Sequence, residues 1–382
     1  MLTPAGHGRA APPGRPRVVH LVPKLLEGGA EALVRSLCAR LGAHGVDVTI
    51  VSVYASGLDA AGKSSLGVPV VEIGRRGRGD LGYFPRLVRT LRELRPDIVH
   101  VHLHTGQYAG RIAALLAGVG TIVLTVHGEE PRGLVRALLD RALHARTARF
   151  VVFTEAQRRR LAASERIPRE RIEAIPNGVE YAAPARSREQ VRGALGICDE
   201  AFVLYAPARL CAQKNQAVAI DALGILAEQG DRDLELVLAG AGTDEAALRA
   251  RAGERGLSAR VHFLGFRSDA AALLPAMDLF VMPSIWERMP IALGEAMLGG
   301  LPVVSTPWEG VADFIIDGAT GFIATDFTAA AFAAAIARAR RDPSTLARIA
   351  ETAKAFAESR FDADATAGRH ASMYRALIGA RA

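Results

Sequence analysis

The sequence alternates short apolar runs with stretches of helical periodicity, and it does so twice along the chain. In the first half the alternation is regular from the first apolar run onward. Such alternation is typical of a parallel sheet whose strands are joined by right-handed helical crossovers. The strands predicted for this half are residues 17–22, 46–53, 68–73, 97–102, 121–126 and 149–153.

The second half repeats the pattern, and a segment rich in Pro, Asn and Gly at 175–179 predicts a loop between the halves. A length of 382 residues suits two domains, and an aromatic content of 5% favours helices packed on parallel strands over a β-sandwich. We therefore predict an α/β protein with two doubly wound parallel sheets facing each other across a deep cleft, because ligands bind beyond the carboxyl ends of such strands. The predicted elements of this half are strands at 202–206, 234–239, 260–263, 279–282 and 302–304 and, among the helices, 215–229 and 290–298.

Cysteine usage and the apolar runs argue against secreted and membrane-spanning classes. Cys38, Cys198 and Cys211 are widely spaced, which predicts neither a disulfide framework nor a metal site and fits a reducing compartment. Residues 1–16 lack the apolar core of a signal peptide, and we predict a disordered lead there. The longest nearly apolar run, 113–126, contains two glycines and is too short to span a bilayer. We expect a cytoplasmic protein.

Charge is distributed unevenly between the halves. Residues 1–180 carry a net charge of +10 and residues 181–382 a net charge of −3, which together give the chain's +7. The basic half favours an anionic acceptor or an anionic membrane surface as partner, and solvated helix faces are the competing interpretation. Nucleic acid is not predicted, because the basic residues are not interleaved with the aromatic residues that stack on bases.

Two carboxylates, Glu287 and Glu295, flank a proline that can start a helix. Glu295 lies in an otherwise apolar stretch, and burying a carboxylate is costly unless a partner satisfies its charge. A ligand rich in hydroxyl groups is such a partner. The pair therefore indicates a site for a sugar or a nucleotide.

Two cations, Arg209 and Lys214, follow the first predicted strand of the second half. At the carboxyl end of a strand they can clamp a diphosphate, Arg by bidentate contact and Lys as a point charge. For this pair taken alone, two solvated surface charges are the competing interpretation.

Glycines follow two of the predicted strands. Gly28 and Gly29 open a helix, where the backbone can approach a ligand and the helix N-terminus favours anions. The third glycine of the dinucleotide fingerprint is missing. Gly240 follows the strand at 234–239. For both segments a tight turn without a ligand is an equal alternative.

Histidines stand at the ends of two strands of the first half. His127 follows the strand at 121–126 and is a candidate hydrogen-bond partner or proton shuttle, with a satisfied core histidine as the alternative. His100, His102 and His104 alternate along one predicted strand and share a face. His104, nearest the strand end, is the candidate for contact with an acceptor. No zinc site is predicted, because partners at zinc-ligand spacing are absent.

Together these segments resemble the retaining glycosyltransferases of family 4, which have the two-domain GT-B fold. The resemblance extends from about Val18 to Tyr374, and the order of the segments argues against coincidence. It implies an acceptor-binding domain at 17–180, a nucleotide-sugar-binding domain at 181–360, and a helix at 361–382 that packs back toward the first domain. The segments that carry it are 28–31, 95–100, 125–128, 175–179, 209 with 214, 237–242, 262–266, 287 with 295, 300–304 and 317–322.

The resemblance also implies roles for the candidate residues. Arg209 and Lys214 would bind the donor's diphosphate and stabilise it as a leaving group. Glu287 would contact hydroxyls of the donor sugar, and Glu295 would accept hydrogen bonds from the ribose. The helix that begins at Pro290 and Ile291 would aim its N-terminus at the phosphates. Gly28, Gly29 and Gly240 would allow close approach to the donor, and His127 would lie beside the reacting oxygens.

The implied reaction is transfer of a sugar, with retention, from a nucleoside-diphosphate sugar to an acceptor hydroxyl. The expected donor is a UDP-sugar and the expected acceptor a glycan or a lipid-linked molecule in cell-envelope or exopolysaccharide assembly. No metal or other cofactor is expected, since two cations and a helix end neutralise the diphosphate. A peripheral position on the inner face of the plasma membrane is expected if basic side chains rest on anionic lipid, namely Arg75, Arg76, Arg78, Arg86, Arg89 and Arg92.

Three alternatives remain at this point. The acceptor could be a soluble molecule, such as an antibiotic core or a thiol precursor. A sugar-nucleotide epimerase shares the architecture but needs acid and base carboxylates in the cleft. The cation pair and the two glutamates fit a transferase better than an epimerase. A non-catalytic carbohydrate-binding relative would lack the cation pair or the two glutamates. Departures from the family pattern at Asn215, Arg288, Trp308 and Asp313 leave donor and acceptor details open.

Overall fold

The computed structural model describes residues 15–25, 29–77, 79–103, 106–126, 134–181 and 186–380. It divides into two compact units. The first comprises the chain up to Gly178 together with the segment from Ala363 onward, and the second comprises Val179–Asp362. Of the lead predicted at 1–16, only Arg15 and Pro16 belong to the described residues.

Each unit contains one parallel sheet, so the predicted α/β fold is confirmed. The first sheet has the order β3-β2-β1-β4-β5-β6-β7 and the second the order β10-β9-β8-β11-β12-β13. The strands of the first are β1 (Arg17–Val22), β2 (Asp47–Ser52), β3 (Val70–Glu72), β4 (Ile98–His102), β5 (Thr121–Thr125), β6 (Arg149–Val152) and β7 (Ile172–Ala174). Those of the second are β8 (Phe202–Pro207), β9 (Leu234–Ala239), β10 (Val261–Phe263), β11 (Leu279–Met282), β12 (Val303–Ser305) and β13 (Phe322–Ile323).

Helices connect the strands. They are α1 (Gly29–Leu41), α2 (Ala60–Ser65), α3 (Tyr83–Leu94), α4 (Arg111–Leu116), α5 (Leu134–Ala145), α6 (Glu155–Glu165), α7 (Arg188–Leu195), α8 (Gln216–Glu228), α9 (Glu245–Glu254), α10 (Ile291–Leu298), α11 (Ala329–Arg340), α12 (Pro343–Phe361) and α13 (Ala363–Gly379). The helical periodicity of the sequence predicts one helix over 107–116, whereas the structure has two elements there, a π-helical turn at Gly106–Gly110 followed by α4. Because α13 belongs to the first unit, that unit is built from both ends of the chain.

Both sheets are buried on both faces, as parallel sheets usually are. Along β1, Val18 and Val22 pack on one face with residues of α1 and α13, while Val19 and Leu21 pack on the other with residues of α3. In the second sheet, Val203 and Leu204 of β8 likewise point into different clusters. The apolar runs of the sequence therefore correspond to strands covered by helices on two sides.

Buried polar side chains join α13 to the first sheet. The Tyr374 hydroxyl lies 2.6 Å from His100 Nδ1 and 3.3 Å from His20 Nε2, and His100 Nε2 lies 2.7 Å from Thr125 Oγ1. His20 Nδ1 is 3.0 Å from His102 Nε2. Burial lowers the pKa of His20 to about 3, with the charge of His370 as a smaller cause, and burial lowers the pKa of His370 to about 4. Both imidazoles are therefore neutral in the folded protein.

Lowering the pH from 7 to 5 is expected to weaken the docking of α13. In the unfolded chain these imidazoles take up protons below pH 6.5, whereas in the folded chain they stay neutral until pH 3 to 4. Their contribution is complete above pH 6.5 and falls by about 1.4 kcal/mol per pH unit for each imidazole as the pH drops. Hydrogen exchange of the α13 amides measures this slope.

A histidine variant in each unit serves to check that result. His370→Gln should reduce the pH dependence of α13 protection by about half, because the contribution of His20 remains. His262→Gln, in the second unit, should leave it unchanged. An equal slope in wild type and His370→Gln would contradict the explanation.

Most of the arginines proposed for a membrane surface have partners within the first unit. Arg78 lies outside the described residues, and membrane contact stays a prediction. Among the described helices, none combines the length and apolar character that crossing a bilayer requires. The partners are the Tyr83 ring for Arg75, Asp80 for Arg86, Glu93 for Arg89 and the Leu116 carbonyl for Arg92.

Candidate functional site

The strand order of the second sheet places β8 beside β11, which comes later in the chain than β9 and β10. At such a switch point the loops that follow the two strands diverge and leave a crevice in which ligands bind. A pocket opens at this position, between the ends of β8 and β11 and the start of α10. Its lining includes Pro207, Lys214, Gln216, Ser284 and Ile291.

An ion pair joins the two loops beside this pocket. Lys214 Nζ, which follows β8, lies 2.6 Å from Glu287 Oε1, which follows β11. The Glu287 side chain is 6% exposed and the Lys214 side chain 20%, so the pair is largely removed from water. Lys214 satisfies the buried carboxylate and keeps two further N–H donors for a ligand. Two residues that the sequence suggested separately therefore form one site.

Neutral side chains hold these loops in place. The Ser284 hydroxyl donates to Glu287 Oε1 at 2.6 Å, and the Thr306 hydroxyl donates to the Ser284 carbonyl at 2.6 Å. Gln213 accepts from the Ile285 amide at 2.9 Å and donates through Nε2 to the Trp286 carbonyl at 3.0 Å. The loop after β11 is thus tied to the loop after β8 and to the segment after β12.

Arg209 is exposed, two residues after β8, and its guanidinium forms no hydrogen bond or ion pair with the described residues. Its backbone is nevertheless fixed, because Gln216 Nε2 donates to the Arg209 carbonyl at 2.8 Å. Gln216 is 2% exposed, and its Oε1 has no partner within the described parts of the chain. A fixed backbone with an unengaged guanidinium suits a side chain that binds an anionic ligand.

The start of α10 supplies a further group for an anion. Pro290 stands at the N-cap, and the first amides of a helix have no intrahelical acceptor. These amides and the helix dipole favour a negative charge at this end. Pro290, Ile291 and Lys214 line the same pocket. Their contact with a donor diphosphate stays a prediction.

Glu295 lies one turn further along α10 and is half-buried. Burial raises the pKa of its carboxyl group above the ordinary value. Its charge also raises the pKa values of Tyr205 and Tyr181, for which burial is the larger cause. A half-buried carboxylate in an apolar helix matches the sequence expectation, and its contact with a ribose stays a prediction.

Gly240 has a packing reason to be glycine. A Cβ at this position would lie 1.9 Å from the Ala208 carbonyl oxygen, and a Cβ at Gly242 would lie 2.0 Å from that of Leu210. The Leu210 amide donates to the Ala241 carbonyl across the same contact. The two glycines therefore let the loops after β8 and β9 touch backbone to backbone, and a donor contact at Gly240 stays a prediction.

Three candidate residues, Gly28, His104 and His127, lie outside the described residues. Gly29 begins α1, as predicted. Strand β4 ends at His102, two residues before His104, so of the three alternating histidines only His100 and His102 lie in the strand. Within the described chain, His20, His100 and His102 form one group with metal-ligand geometry. The hydrogen bonds described above engage both nitrogens of His20 and of His100, so these two imidazoles have partners within the protein.

The structure describes the surroundings of three of the four residues that depart from the family pattern. Asn215 adopts a left-handed backbone with φ of 53°, a conformation that glycine or asparagine tolerates. Trp308 is buried, and its indole N–H donates to Ser305 Oγ at 3.0 Å. Arg288 is exposed, with its guanidinium 5.2 Å from the centre of the Trp286 ring.

Comparison with known proteins assigns the family. The model of "Glycosyl transferases group 1" matches residues 187–356, and that of "Glycosyltransferase Family 4" matches residues 27–182. The chain belongs to the GT-B glycosyltransferases of group 1. The resemblance seen in the sequence is thereby confirmed. In this glycosyltransferase the Family 4 segment falls almost entirely in the first unit and the group 1 segment in the second.

Similar proteins include glycosyltransferases named for different sugars. The UDP-Gal:α-D-GlcNAc-diphosphoundecaprenol α-1,3-galactosyltransferase of Escherichia coli is 32% identical over 59% of this glycosyltransferase and 61% of that relative. The α-D-kanosaminyltransferase of Streptomyces kanamyceticus is 27% identical over 76% and 81%. The crystal structure of Anabaena HepE with UDP and glucose matches with a TM-score of 0.79 at 24% identity, over 94% of this chain and 99% of that one, which supports the fold.

Proposed function

We propose that this glycosyltransferase moves a sugar from a UDP-sugar to an acceptor hydroxyl with retention of configuration. The observation that carries the proposal is the Lys214–Glu287 pair at the β8/β11 switch point, beside the start of α10. A cation for a diphosphate, a carboxylate for sugar hydroxyls and a helix N-terminus for phosphate oxygens are brought together there. These are the groups that a nucleoside-diphosphate sugar requires.

In the proposed reaction, Arg209, Lys214 and the first amides of α10 bind the diphosphate and stabilise the charge that develops as it leaves. Glu287 accepts hydrogen bonds from sugar hydroxyls, and Glu295 accepts from the ribose. The proposed retention needs no enzyme nucleophile, because the acceptor attacks the face that the diphosphate leaves and the departing phosphate takes the acceptor proton. His127 is proposed to lie beside these oxygens.

We propose that no metal participates, since two cations and a helix end already meet the diphosphate charge. The acceptor is proposed to be a glycan or a lipid-linked molecule in cell-envelope or exopolysaccharide assembly. Support comes from the likeness to a galactosyltransferase that acts on a diphosphoundecaprenol-linked sugar. A soluble acceptor is the second candidate, favoured by the likeness to a 2-deoxystreptamine glucosyltransferase of Streptomyces kanamyceticus over 76% of this chain and 80% of that relative.

A donor panel tests the proposal. The purified protein is incubated with nucleotide sugars that carry uracil, guanine or adenine, with and without EDTA, and donor hydrolysis and thermal stabilisation are measured. We expect a response to a UDP-sugar, and EDTA should leave it unchanged. No response to any donor would overturn the proposal, and loss of activity in EDTA that Mg²⁺ restores would overturn its metal-free form.

The acceptor is tested in transfer assays with the donor identified in that panel, and membrane binding is tested separately. Transfer to a diphosphopolyprenyl-linked sugar, but not to an aminocyclitol, would support the envelope role, and the reverse would favour the soluble acceptor. Flotation with vesicles of neutral or anionic lipid measures membrane binding. Equal recovery with both vesicle types would count against a contact through the basic first unit.

A further inference from the structure

The two oxygens of the Glu287 carboxylate are in different situations. Oε1 accepts from Lys214 Nζ and from the Ser284 hydroxyl, each at 2.6 Å. Oε2 accepts from no donor within the described parts of the chain. A carboxylate can accept at both oxygens, so one is saturated by protein donors and the other keeps its full capacity to accept.

Lys214 has two anionic partners once a donor binds, Glu287 and the diphosphate. In the proposed function its ammonium contacts both, and its flexible four-carbon stem lets it shift between them. If Lys214 alone held Glu287, the position of the carboxylate would change with every shift of the ammonium toward the diphosphate. A second donor to Oε1 that does not touch the diphosphate removes this conflict.

Ser284 has the properties of that second donor. It is 1% exposed, so its hydroxyl does not exchange its partner for bulk water. Its carbonyl accepts from the hydroxyl of Thr306, which is fully buried, and the neighbouring Ser305 accepts from the Trp308 indole. Ser284 is therefore held through its backbone carbonyl to the segment after β12, and this contact does not involve Lys214.

We propose that Ser284 is a positioning residue that holds Glu287 with Oε1 saturated and Oε2 open to the hydroxyls of the donor sugar. Ser284 thereby separates recognition of the sugar from binding of the diphosphate. This inference rests on the proposed function, because it needs a nucleotide sugar as the ligand. The proposed role predicts different effects of Ser284 variants on two ligands that share a nucleotide, the intact nucleotide sugar and the free nucleoside diphosphate.

The test compares these two ligands in Ser284→Ala, Ser284→Thr and Glu287→Gln. Loss of a hydrogen bond to a charged group predicts a fall in kcat/KM for the UDP-sugar of about tenfold in Ser284→Ala. The Kd for UDP should stay within about twofold of wild type, since the nucleotide does not use Glu287. Ser284→Thr, which keeps the hydroxyl, should recover most of the activity. Ser359→Ala, which removes a hydroxyl bonded to the Phe356 carbonyl in α12, is the matched control and should not change either value.

A double variant decides whether Ser284 acts through Glu287. Adding Ser284→Ala to Glu287→Gln should cause no further loss, because the group that Ser284 positions is already altered. An additive tenfold loss, or equal weakening of UDP and UDP-sugar, would overturn the role of Ser284 while leaving the transferase proposal intact. A wild-type protein that acts on no donor would instead overturn the proposed function, and this role with it.

Discussion

Replacing Lys214 by alanine is expected to reduce turnover of a nucleotide sugar by about 100- to 1,000-fold, the range seen when a preorganised electrostatic group is removed. Two effects act together. The diphosphate loses a cation as it leaves, and Glu287, at 6% exposure, loses its ion-pair partner. Breaking a buried pair from one side is costly because the remaining charge is uncompensated. Steady-state kinetics with the donor from the panel measures the loss.

The control for this variant is Lys354→Ala, which removes an exposed lysine from α12 in the same unit. It should leave turnover unchanged. Lys214→Arg should keep part of the activity, since charge is retained but the position of the donors changes. If Lys214→Ala retained wild-type turnover while still folded, Lys214 would not belong to the site.

Replacing Gly240 by alanine is expected to destabilise the second unit by about 3 kcal/mol, the upper part of the range for overpacking. The added Cβ would meet the Ala208 carbonyl at 1.9 Å, and that neighbour is backbone rather than a side chain that can turn away. The loops after β8 and β9 must then separate, which displaces Arg209. Thermal unfolding is followed by tryptophan fluorescence, because Trp286 and Trp308, the two tryptophans of the chain, both lie in this unit.

Gly253→Ala is the matched control. This glycine lies near the end of α9, and the nearest atom to an added Cβ is 3.7 Å away, an ordinary contact. The exchange should be neutral or stabilise by up to about 1 kcal/mol, because alanine favours the helix. Equal unfolding temperatures for Gly240→Ala and wild type would contradict the backbone contact as the reason for glycine.

The sequence predicted the central strands and two of the four edge strands, β3 and β10, and it missed the other two edge strands. The bounds of β1, β9 and β11 match the prediction, since long apolar runs buried on both faces carry a strong signal. The edge strands β7 and β13 were missed, because two or three residues show no periodicity. The π-helical turn before α4 was also missed, since its sequence is compatible with an ordinary helix.

The charged members of the candidate site could be found from sequence, and their neutral supports could not. Arg209, Lys214 and Glu287 carry charge at strand ends, which is informative without a structure. Ser284 and Thr306 act through contacts between segments separated by 22 residues, and Gln216 acts through a backbone carbonyl. Such residue types are common in loops, so only the three-dimensional contacts identify them. The backbone contact of Gly240 could not be predicted for the same reason, because its neighbour Ala208 is distant in sequence.

The position of α13 determines the order in which the chain can mature during synthesis. The helix buries Ala367, Ala371 and Tyr374 in the core of the first unit, beside Val34 and Cys38 of α1. A ribosome delivers the chain from the N-terminus, so the core of the first unit is incomplete until α13 has been synthesised. The second unit, whose segment is continuous, is complete before that. The first unit is thus begun before the second unit and completed after it. A chain that stops before Ala363 lacks α13, which leaves a gap in the core of the first unit.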